Sequence, residues 1–230
     1  MDVKFKRSWL PNLLTLGNLF CGFVAITFVV RGLDFYPAAV RILFLAGVLD
    51  IFDGVVAQVL NVSSDFGREL DSLADVVSFG VAPALLVYER SLHLAGWPGI
   101  FVAGLFVCCS GSRLARYNVT TGPKERYLTG MPTPPTALLV SATTLRLGTI
   151  NVGLSIILVA LTSLLMVSTL RFPRIPQIAF DAPLPIRLMF VGICVIGLSR
   201  PDNWILIPAS YIAYGLLMNL VDVLRSKNYS

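Results

Sequence analysis

Long apolar segments alternate with short polar breaks along most of the chain. Eight such segments can be distinguished, at residues 11–30, 37–60, 71–88, 94–115, 132–148, 150–170, 186–199 and 203–224. Most approach the ~20 residues that a helix needs to cross the hydrocarbon of a bilayer. The breaks are rich in Gly, Pro, Asn, Ser and charged residues, which favour turns. The pattern predicts an all-α, polytopic membrane helix bundle of about eight transmembrane helices. The two short segments, 132–148 and 186–199, leave the count between six and eight.

Composition agrees with a membrane protein and gives one domain spanning residues 1–230. The chain is 56% hydrophobic and 13% charged, whereas a soluble domain carries about 25% charge. The net charge of +5 raises the question of a nucleic-acid partner. The basic residues, however, cluster at the ends of apolar segments instead of forming one basic face. The sequence therefore predicts membrane lipids as partners and no nucleic acid.

The distribution of basic residues predicts how the bundle is oriented. With eight spans both termini lie on one side, and that side collects thirteen of the eighteen Lys and Arg residues. Cytoplasmic loops carry the excess of Lys and Arg. We therefore expect a multi-pass protein of the cell membrane with both termini in the cytoplasm. The break near 61–70 would then be cytoplasmic as well.

Four aspartates lie where a membrane protein tolerates them least. Asp50 and Asp53 are three residues apart in the second segment, and Asp71 and Asp75 are four apart in the third. On helices each pair shares one face. A carboxylate in hydrocarbon costs roughly 2.5–3.5 kcal/mol or more, so such acids face a cavity, pair with cations or carry out chemistry. Four convergent carboxylates need positive charge between them, and divalent cations supply it.

Small residues accompany the acids. Gly54 and Ala57 lie beside the first pair, and Gly67 precedes the second pair. Small side chains leave room beside the carboxylates for a ligand. Two metal ions about 4 Å apart can hold a diphosphate and stabilise its attacking and leaving oxygens. The constellation predicts a site for a phosphate-bearing substrate, in a polar cavity open to the cytoplasm.

These residues resemble the signature of the CDP-alcohol phosphatidyltransferase family. The matching positions are Asp50, Asp53, Gly54, Ala57, Gly67, Asp71 and Asp75, and the departure is Gln58, where the family has Arg. An amide cannot bind phosphate as a guanidinium fork does, so Arg68 is considered as a local substitute. Residues 11–22, 66–83, 113–118 and 130–135 resemble the phosphatidylserine synthase branch of the family.

The resemblance implies an enzyme that converts CDP-diacylglycerol and L-serine into phosphatidylserine and CMP. It implies that Asp50, Asp53, Asp71 and Asp75 hold two divalent cations, Mg²⁺ or Mn²⁺. Asp75 would also be the catalytic base that takes the proton of the serine hydroxyl. Gly54, Ala57 and Gly67 would line the nucleotide site. A homodimer is expected from the same resemblance.

Further polar residues are candidates for substrate contacts. Asn12 and Thr15 share a face of the first segment, where they contact either the nucleotide or a neighbouring helix. Arg113 and Arg116 either anchor the end of the fourth segment or bind the serine carboxylate or the lipid phosphate, which suits Arg geometry. Asn118 follows them as a headgroup contact or a turn residue. Arg68 completes the candidates for acceptor or lipid-phosphate binding.

Three alternatives remain open at the level of sequence. The acceptor could be glycerol 3-phosphate or inositol phosphate, since Arg113, Arg116, Lys124 and Arg126 offer extra cations. The donor could be an archaeal ether lipid. The protein could instead be a divalent-cation transporter, but such a protein is expected to place its acids near the bilayer midplane with access from both sides.

Overall fold

The computed structural model describes residues 9–62, 64–120, 127–147, 151–173 and 203–227. Helices dominate these ranges. The elements are α1 (Trp9–Arg31), α2 (Tyr36–Leu60), α3 (Asp65–Asp75), a π-helix (Val76–Val81), α4 (Ala82–Arg90), α5 (Trp97–Thr120), β1 (Tyr127–Thr129), α6 (Thr133–Leu147), α7 (Val152–Val167), β2 (Arg171–Pro173) and α8 (Leu206–Lys227).

Within the described ranges, four helical stretches are long and apolar enough to cross a membrane. They are α1, residues 33–60, the continuous run from α3 through the π-helix to α4, and α5. The helices α7 and α8 contain shorter apolar stretches. The prediction of a membrane helix bundle is therefore confirmed in this coarser form. The count of eight spans stays a prediction, and the predicted segment 186–199 lies outside the described residues.

The predicted segment boundaries agree with the helices within a few residues, with one informative exception. The third segment was expected from residue 71, but its helix begins at Asp65. Ser64 caps this helix, because its hydroxyl accepts a hydrogen bond from the Gly67 backbone N–H at 3.0 Å. The first turns are mostly polar, with Asp65, Gly67, Arg68 and Glu69 around a single Phe66, which is why the apolar pattern began later.

One short element departs from the all-α expectation. β1 and β2 pair antiparallel, with Leu128 opposite Phe172. The Tyr211 hydroxyl of α8 donates to the Pro173 carbonyl at 2.7 Å, and the Phe172 ring packs against Gly215. The two strands thus connect α8 to the turns that flank α6 and α7.

The first helix, α1, packs closely against the π-helix that follows Asp75. A Cβ atom on Gly22 would collide with the side chain and backbone of Ser78. The Ser78 hydroxyl donates to the main-chain carbonyl of Asn18 at 2.9 Å. On the opposite side of the π-helix, Gly80 faces the Ser110 side chain of α5. Small residues therefore bring α1 and α5 against the π-helix that follows Asp75.

Candidate active site

Three of the four intramembrane aspartates form one cluster. Asp50 and Asp53 of α2 and Asp71 of α3 each offer a carboxylate oxygen, and these atoms all lie within 4.8 Å of one another. Asp53 is buried, and the other two are half-buried. The i, i+3 spacing places the first two acids on one face of α2, and α3 supplies the third from across the helix pair. These three residues are called the acidic triad below.

Asp75 lies next to the acidic triad but is not one of its members. It follows Asp71 by one helical turn and is buried, with 5% of its surface exposed. Its carboxyl group lies within hydrogen-bonding reach of Asp50. The structure therefore brings all four predicted acids together, and Asp75 is the most deeply buried of them.

The first helix supports both groups of acids. The Thr15 hydroxyl lies 2.7 Å from Asp53 Oδ2, to which it donates, and 3.1 Å from the Pro11 carbonyl. One turn along α1, Asn18 Nδ2 donates to Asp75 Oδ1 at 3.2 Å. Both side chains are buried. Thr15 was predicted as a candidate for the nucleotide or a helix contact, and here it contacts a neighbouring helix.

The small residues of the motif differ in the space around them. A Cβ atom placed on Gly54 would meet nothing within 4 Å among the described residues. At Gly67 the corresponding atom would lie 3.2 Å from Asn12 Oδ1. Asn12 and Gly67 are thus neighbours. Ala57 is half-buried and Gln58 is exposed on α2.

Arg113 is a buried cation on α5. It has 5% of its surface exposed, and its Nη1 donates to Thr133 Oγ1 at 2.8 Å. The guanidinium lies 5.8 Å from the centre of the Tyr117 ring and interacts electrostatically with Asp75. Its Nε has no hydrogen-bond partner, and no carboxylate in the described ranges lies within 4.0 Å of it. A buried guanidinium with free donors is suited to binding an anion.

Arg116 is placed differently from Arg113, although both lie on α5. Its guanidinium donates to the main-chain carbonyls of four residues at 2.9–3.2 Å: Thr129, Met166, Val167 and Ser168. It therefore caps the end of α7, where helix carbonyls lack partners. This geometry disfavours the predicted contact of Arg116 with an acceptor or a lipid phosphate, because both terminal nitrogens already donate to main-chain carbonyls.

The two remaining candidates also have protein partners. Asn118 Nδ2 donates to the Ser72 hydroxyl at 2.9 Å and so joins α5 to α3. Arg68 is exposed and forms an ion pair with Asp65, one turn earlier on α3. An exposed pair of this kind contributes little energy, so Arg68 remains available for a ligand. Its role as a substitute for the family Arg stays a prediction.

The acidic triad has the properties of a site for a hard divalent cation. Its donors are carboxylate oxygens, the ligands that Mg²⁺ and Mn²⁺ prefer. Asp71 Oδ1 is buried and has no hydrogen-bond partner, although buried polar atoms are normally paired. Carboxylates this close repel one another unless a cation lies between them. The residues therefore fit the predicted metal ions.

Three residues of this region were not among the sequence-predicted site residues. Asn18 contacts Asp75, while Thr133 and Tyr117 contact Arg113. Asn18 had a visible signal, because Asn12, Thr15 and Asn18 form a polar row at three-residue spacing on an apolar helix. Tyr117 also had a local signal, because it follows Arg113 by four residues on α5. Thr133 had none, because its contact depends on how α5 and α6 meet.

Comparison with known proteins identifies relatives along most of the chain. The family model described as CDP-alcohol phosphatidyltransferase matches residues 8–168. The CDP-diacylglycerol–serine O-phosphatidyltransferase of Helicobacter pylori is 32% identical over 230 residues, covering 96% of this chain and 96% of the relative. The Bacillus subtilis protein of the same name is 36% identical over 176 residues, or 76% of this chain and 95% of the relative.

An archaeal protein is similar as well. The archaetidylserine synthase of Methanothermobacter thermautotrophicus is 36% identical over 168 residues, covering 72% of this chain and 70% of the relative. The matched region of the family model contains all four aspartates, Arg113 and the supporting residues of α1.

Proposed function

The chain belongs to the CDP-alcohol phosphatidyltransferase family, and on this premise we propose that it transfers a phosphatidyl group from CDP-diacylglycerol to L-serine. The products are phosphatidylserine and CMP. Relatives from two bacteria carry the name of this activity. The proposal depends chiefly on one observation: Arg113 is buried, has donors free to bind an anion, and interacts electrostatically with Asp75.

The acidic triad would hold the metal ions. Carboxylate oxygens of Asp50, Asp53 and Asp71 lie within 4.8 Å of one another. Asp75 lies next to Asp50 and would border the position of the second ion. When bound, two Mg²⁺ or Mn²⁺ ions neutralise the diphosphate and the charge that develops during transfer. Gly54 offers open space beside these acids for the nucleotide end of the donor. Ala57, Gly67 and Asn12 are the proposed neighbours of that nucleotide.

Asp75 would act as the general base. The serine hydroxyl gives its proton to the Asp75 carboxylate, and its oxygen forms a bond to the β-phosphorus of CDP-diacylglycerol. The bond from that phosphorus to the bridging oxygen breaks, and CMP leaves with the bonding electrons. Asp75 is suited to this role because it is held in place by Asn18 and adjoins the acidic triad.

Arg113 favours serine over a phosphorylated acceptor. Among the residues whose side chains the structure describes, Arg113 is the one buried Lys or Arg, and Lys124 and Arg126 lie outside the described residues. Arg116 is committed to main-chain carbonyls, and Arg68 is exposed. A single guanidinium matches the single carboxylate of serine, whereas a dianionic phosphate calls for additional cations. The electrostatic interaction of Arg113 with Asp75 supports a carboxylate-binding group on the same side as the base.

Arrangement in the membrane is part of the same proposal. A domain of 1–230 with about eight spans, both termini in the cytoplasm and a cytoplasm-facing polar cavity would let soluble serine reach the acids. The excess of basic residues on one side supports this orientation. The homodimer and the choice between a diacyl and an ether-lipid donor stay predictions.

We expect the purified protein to release CMP from CDP-diacylglycerol with Mg²⁺ or Mn²⁺ only when L-serine is present. Parallel reactions contain glycerol 3-phosphate or inositol phosphate in place of serine. Release with one of these acceptors would retain the family chemistry and overturn the proposed substrate. No release with any acceptor from folded protein would overturn the proposed reaction, and metal flux in proteoliposomes would then test the transporter alternative.

Replacing Arg113 by Gln is expected to raise the KM for serine by ~10–100-fold, since a hydrogen bond to a charged group contributes about 1.5–3 kcal/mol. The KM for CDP-diacylglycerol should change less than threefold, which is roughly the effect of 0.6 kcal/mol. Steady-state kinetics with each substrate varied in turn measure both values. Arg41→Gln is the matched control, because it removes an exposed guanidinium from α2, nine residues before Asp50. Equal increases in both KM values for Arg113→Gln would contradict a specific role in serine binding.

A further inference from the structure

The two hydrogen bonds that α1 makes to the acids end on different groups. Thr15 donates to Asp53, a member of the acidic triad. Asn18, three residues later, donates to Asp75, which lies outside the triad. Residues three apart on a helix are neighbours on one face. One short face of α1 therefore contacts both acidic groups through separate side chains.

We propose that Asn18 is a positioning residue for Asp75 and that Thr15 is a positioning residue for Asp53, so that α1 supports the base and the metal-binding acids independently. This inference rests on the proposed function, which makes Asp75 the base. It assigns to each polar residue of α1 a distinct effect on the reaction.

The contact with Asp75 determines the orientation of the Asn18 side-chain amide. Its side chain is fully buried, and Nδ2 lies 3.2 Å from Asp75 Oδ1. Turning the amide over would place its oxygen against the carboxylate oxygen, which is repulsive. The terminal torsion of an Asp side chain is broad when nothing restrains it. The donated N–H therefore restrains how the Asp75 carboxyl group is turned.

Asn18 is itself held in place on rigid elements. The Ser78 hydroxyl donates to its main-chain carbonyl at 2.9 Å, and Gly22 allows Ser78 to approach α1. Ser78 belongs to the π-helix that begins directly after Asp75. Such π-helical segments occur frequently at functional sites. Asn18 thus makes two hydrogen bonds to this helical run. Its side chain donates to Asp75, and its main-chain carbonyl accepts from Ser78.

Thr15 makes the shorter of the two contacts. Its hydroxyl lies 2.7 Å from Asp53 Oδ2, and a hydrogen bond to a charged acceptor is stronger than a neutral one. Asp53 has the smallest solvent-exposed fraction of the acidic triad. Hydrogen bonds to metal-binding carboxylates orient them, and their loss costs ~10–100-fold in metal affinity or activity.

Because Asn18 and Thr15 bond to different acids, we expect their substitutions to change different properties of the enzyme. Asn18→Leu removes the amide at similar volume and should lower kcat by ~10–100-fold, while the Kd for Mn²⁺ and the KM for CDP-diacylglycerol change less than about threefold. Thr15→Val, which is isosteric, should weaken Mn²⁺ binding by ~10–100-fold. Electron paramagnetic resonance of free Mn²⁺ in titrations of the detergent-purified protein measures the Kd without turnover. Steady-state CMP release at saturating Mn²⁺ measures kcat and KM.

Thr27→Val is the control for a merely structural contribution. It removes a hydroxyl of α1 that donates to the Val24 carbonyl of the same helix, and it leaves the Asn18 amide on Asp75. We expect kcat within about threefold of wild type, a change of roughly 0.6 kcal/mol in activation free energy. Asn18→Ala is the second test variant, since it lacks the amide but packs differently from Leu. Retention of wild-type kcat by either folded Asn18 variant would overturn the proposed positioning of Asp75.

The Mn²⁺ titrations keep this inference distinguishable from the proposed function. If wild type transfers the phosphatidyl group to an acceptor other than serine, the kinetic comparison is made with that acceptor. If wild type releases no CMP at all, the proposed function fails, and loss of Mn²⁺ affinity in Thr15→Val but not in Asn18→Leu would still support separate contacts. Equal loss of Mn²⁺ affinity in both variants would overturn them.

Discussion

Replacing Asp75 by Asn is expected to lower kcat for CMP release by ~10²–10⁴-fold, the usual contribution of a positioned general base. The substitution keeps the size of the side chain and removes its capacity to take a proton. The amide oxygen of the substituted side chain can still accept the hydrogen bond from Asn18, so the packing of α1 against α3 should survive. Single-turnover measurement of CMP release with serine checks the chemical step directly.

The metal site provides the internal control for this variant. Because Asp75 lies outside the acidic triad, the Kd of the tightest Mn²⁺ should change by less than the ~10-fold expected on loss of an orienting partner. Retention of more than a tenth of wild-type kcat would place the base elsewhere. Loss of all Mn²⁺ binding would assign Asp75 to the metal site in place of proton transfer.

Replacing Asp71 by Asn is expected to abolish metal binding and activity together. The Mn²⁺ Kd should rise by at least ~100-fold, since losing a charged ligand costs more than losing a ligand's hydrogen-bond partner. Asp71 Oδ1 is the buried oxygen of the triad that has no protein partner. Mn²⁺ titration and CMP release measure the two effects on the same sample.

Asp65→Asn is the matched control for Asp71→Asn. Both acids lie on α3, but Asp65 is exposed and pairs with Arg68 at the start of the helix. This control should keep metal affinity and activity close to wild type. For wild type, a chelator should stop CMP release and added Mg²⁺ should restore it. Activity that persists in Asp71→Asn with chelator present would exclude the acidic triad as an essential metal site.

The sequence was most informative where spacing determines geometry. The i, i+3 and i, i+4 spacings placed each pair of aspartates on one helix face, and the structure brings both pairs together. Their cost in hydrocarbon is enough to make them functional candidates from the sequence alone. The convergence of α2 and α3 was the one additional assumption, and the resemblance to a known signature supplied it.

Long-range contacts explain what the sequence did not predict. Arg113 and Arg116 are three residues apart and chemically identical, yet one is a buried cation with free donors and the other caps α7. Nothing local distinguishes them, because the difference arises from Thr133 on α6 and from the carbonyls at the end of α7. The π-helix at residues 76–81 was equally invisible, since an apolar run carries no signal for the extra residue in its turn.

The polar row on α1 is visible in the sequence but ambiguous. The pattern assigns Asn12 and Thr15 to the nucleotide or to a helix contact, and it gives Asn18 no role of its own. A polar side chain in an apolar helix bonds to a ligand or to another helix with equal chemical ease. Only the depth of burial and the identity of the partner carboxylate separate these two cases.

The location of all four acids and their supports in the first half of the chain has a consequence for how the protein is made. Synthesis delivers α1 to the translocon before α2 arrives with Asp50 and Asp53, and each aspartate adds roughly 2.5–3.5 kcal/mol to the cost of insertion. We expect Thr15 then to lie in the bilayer already as a hydrogen-bond donor for the incoming Asp53. We therefore expect α1, which is synthesised first, to stabilise these acids while they are inserted. The Arg113 guanidinium of α5 is the last of these groups to be synthesised.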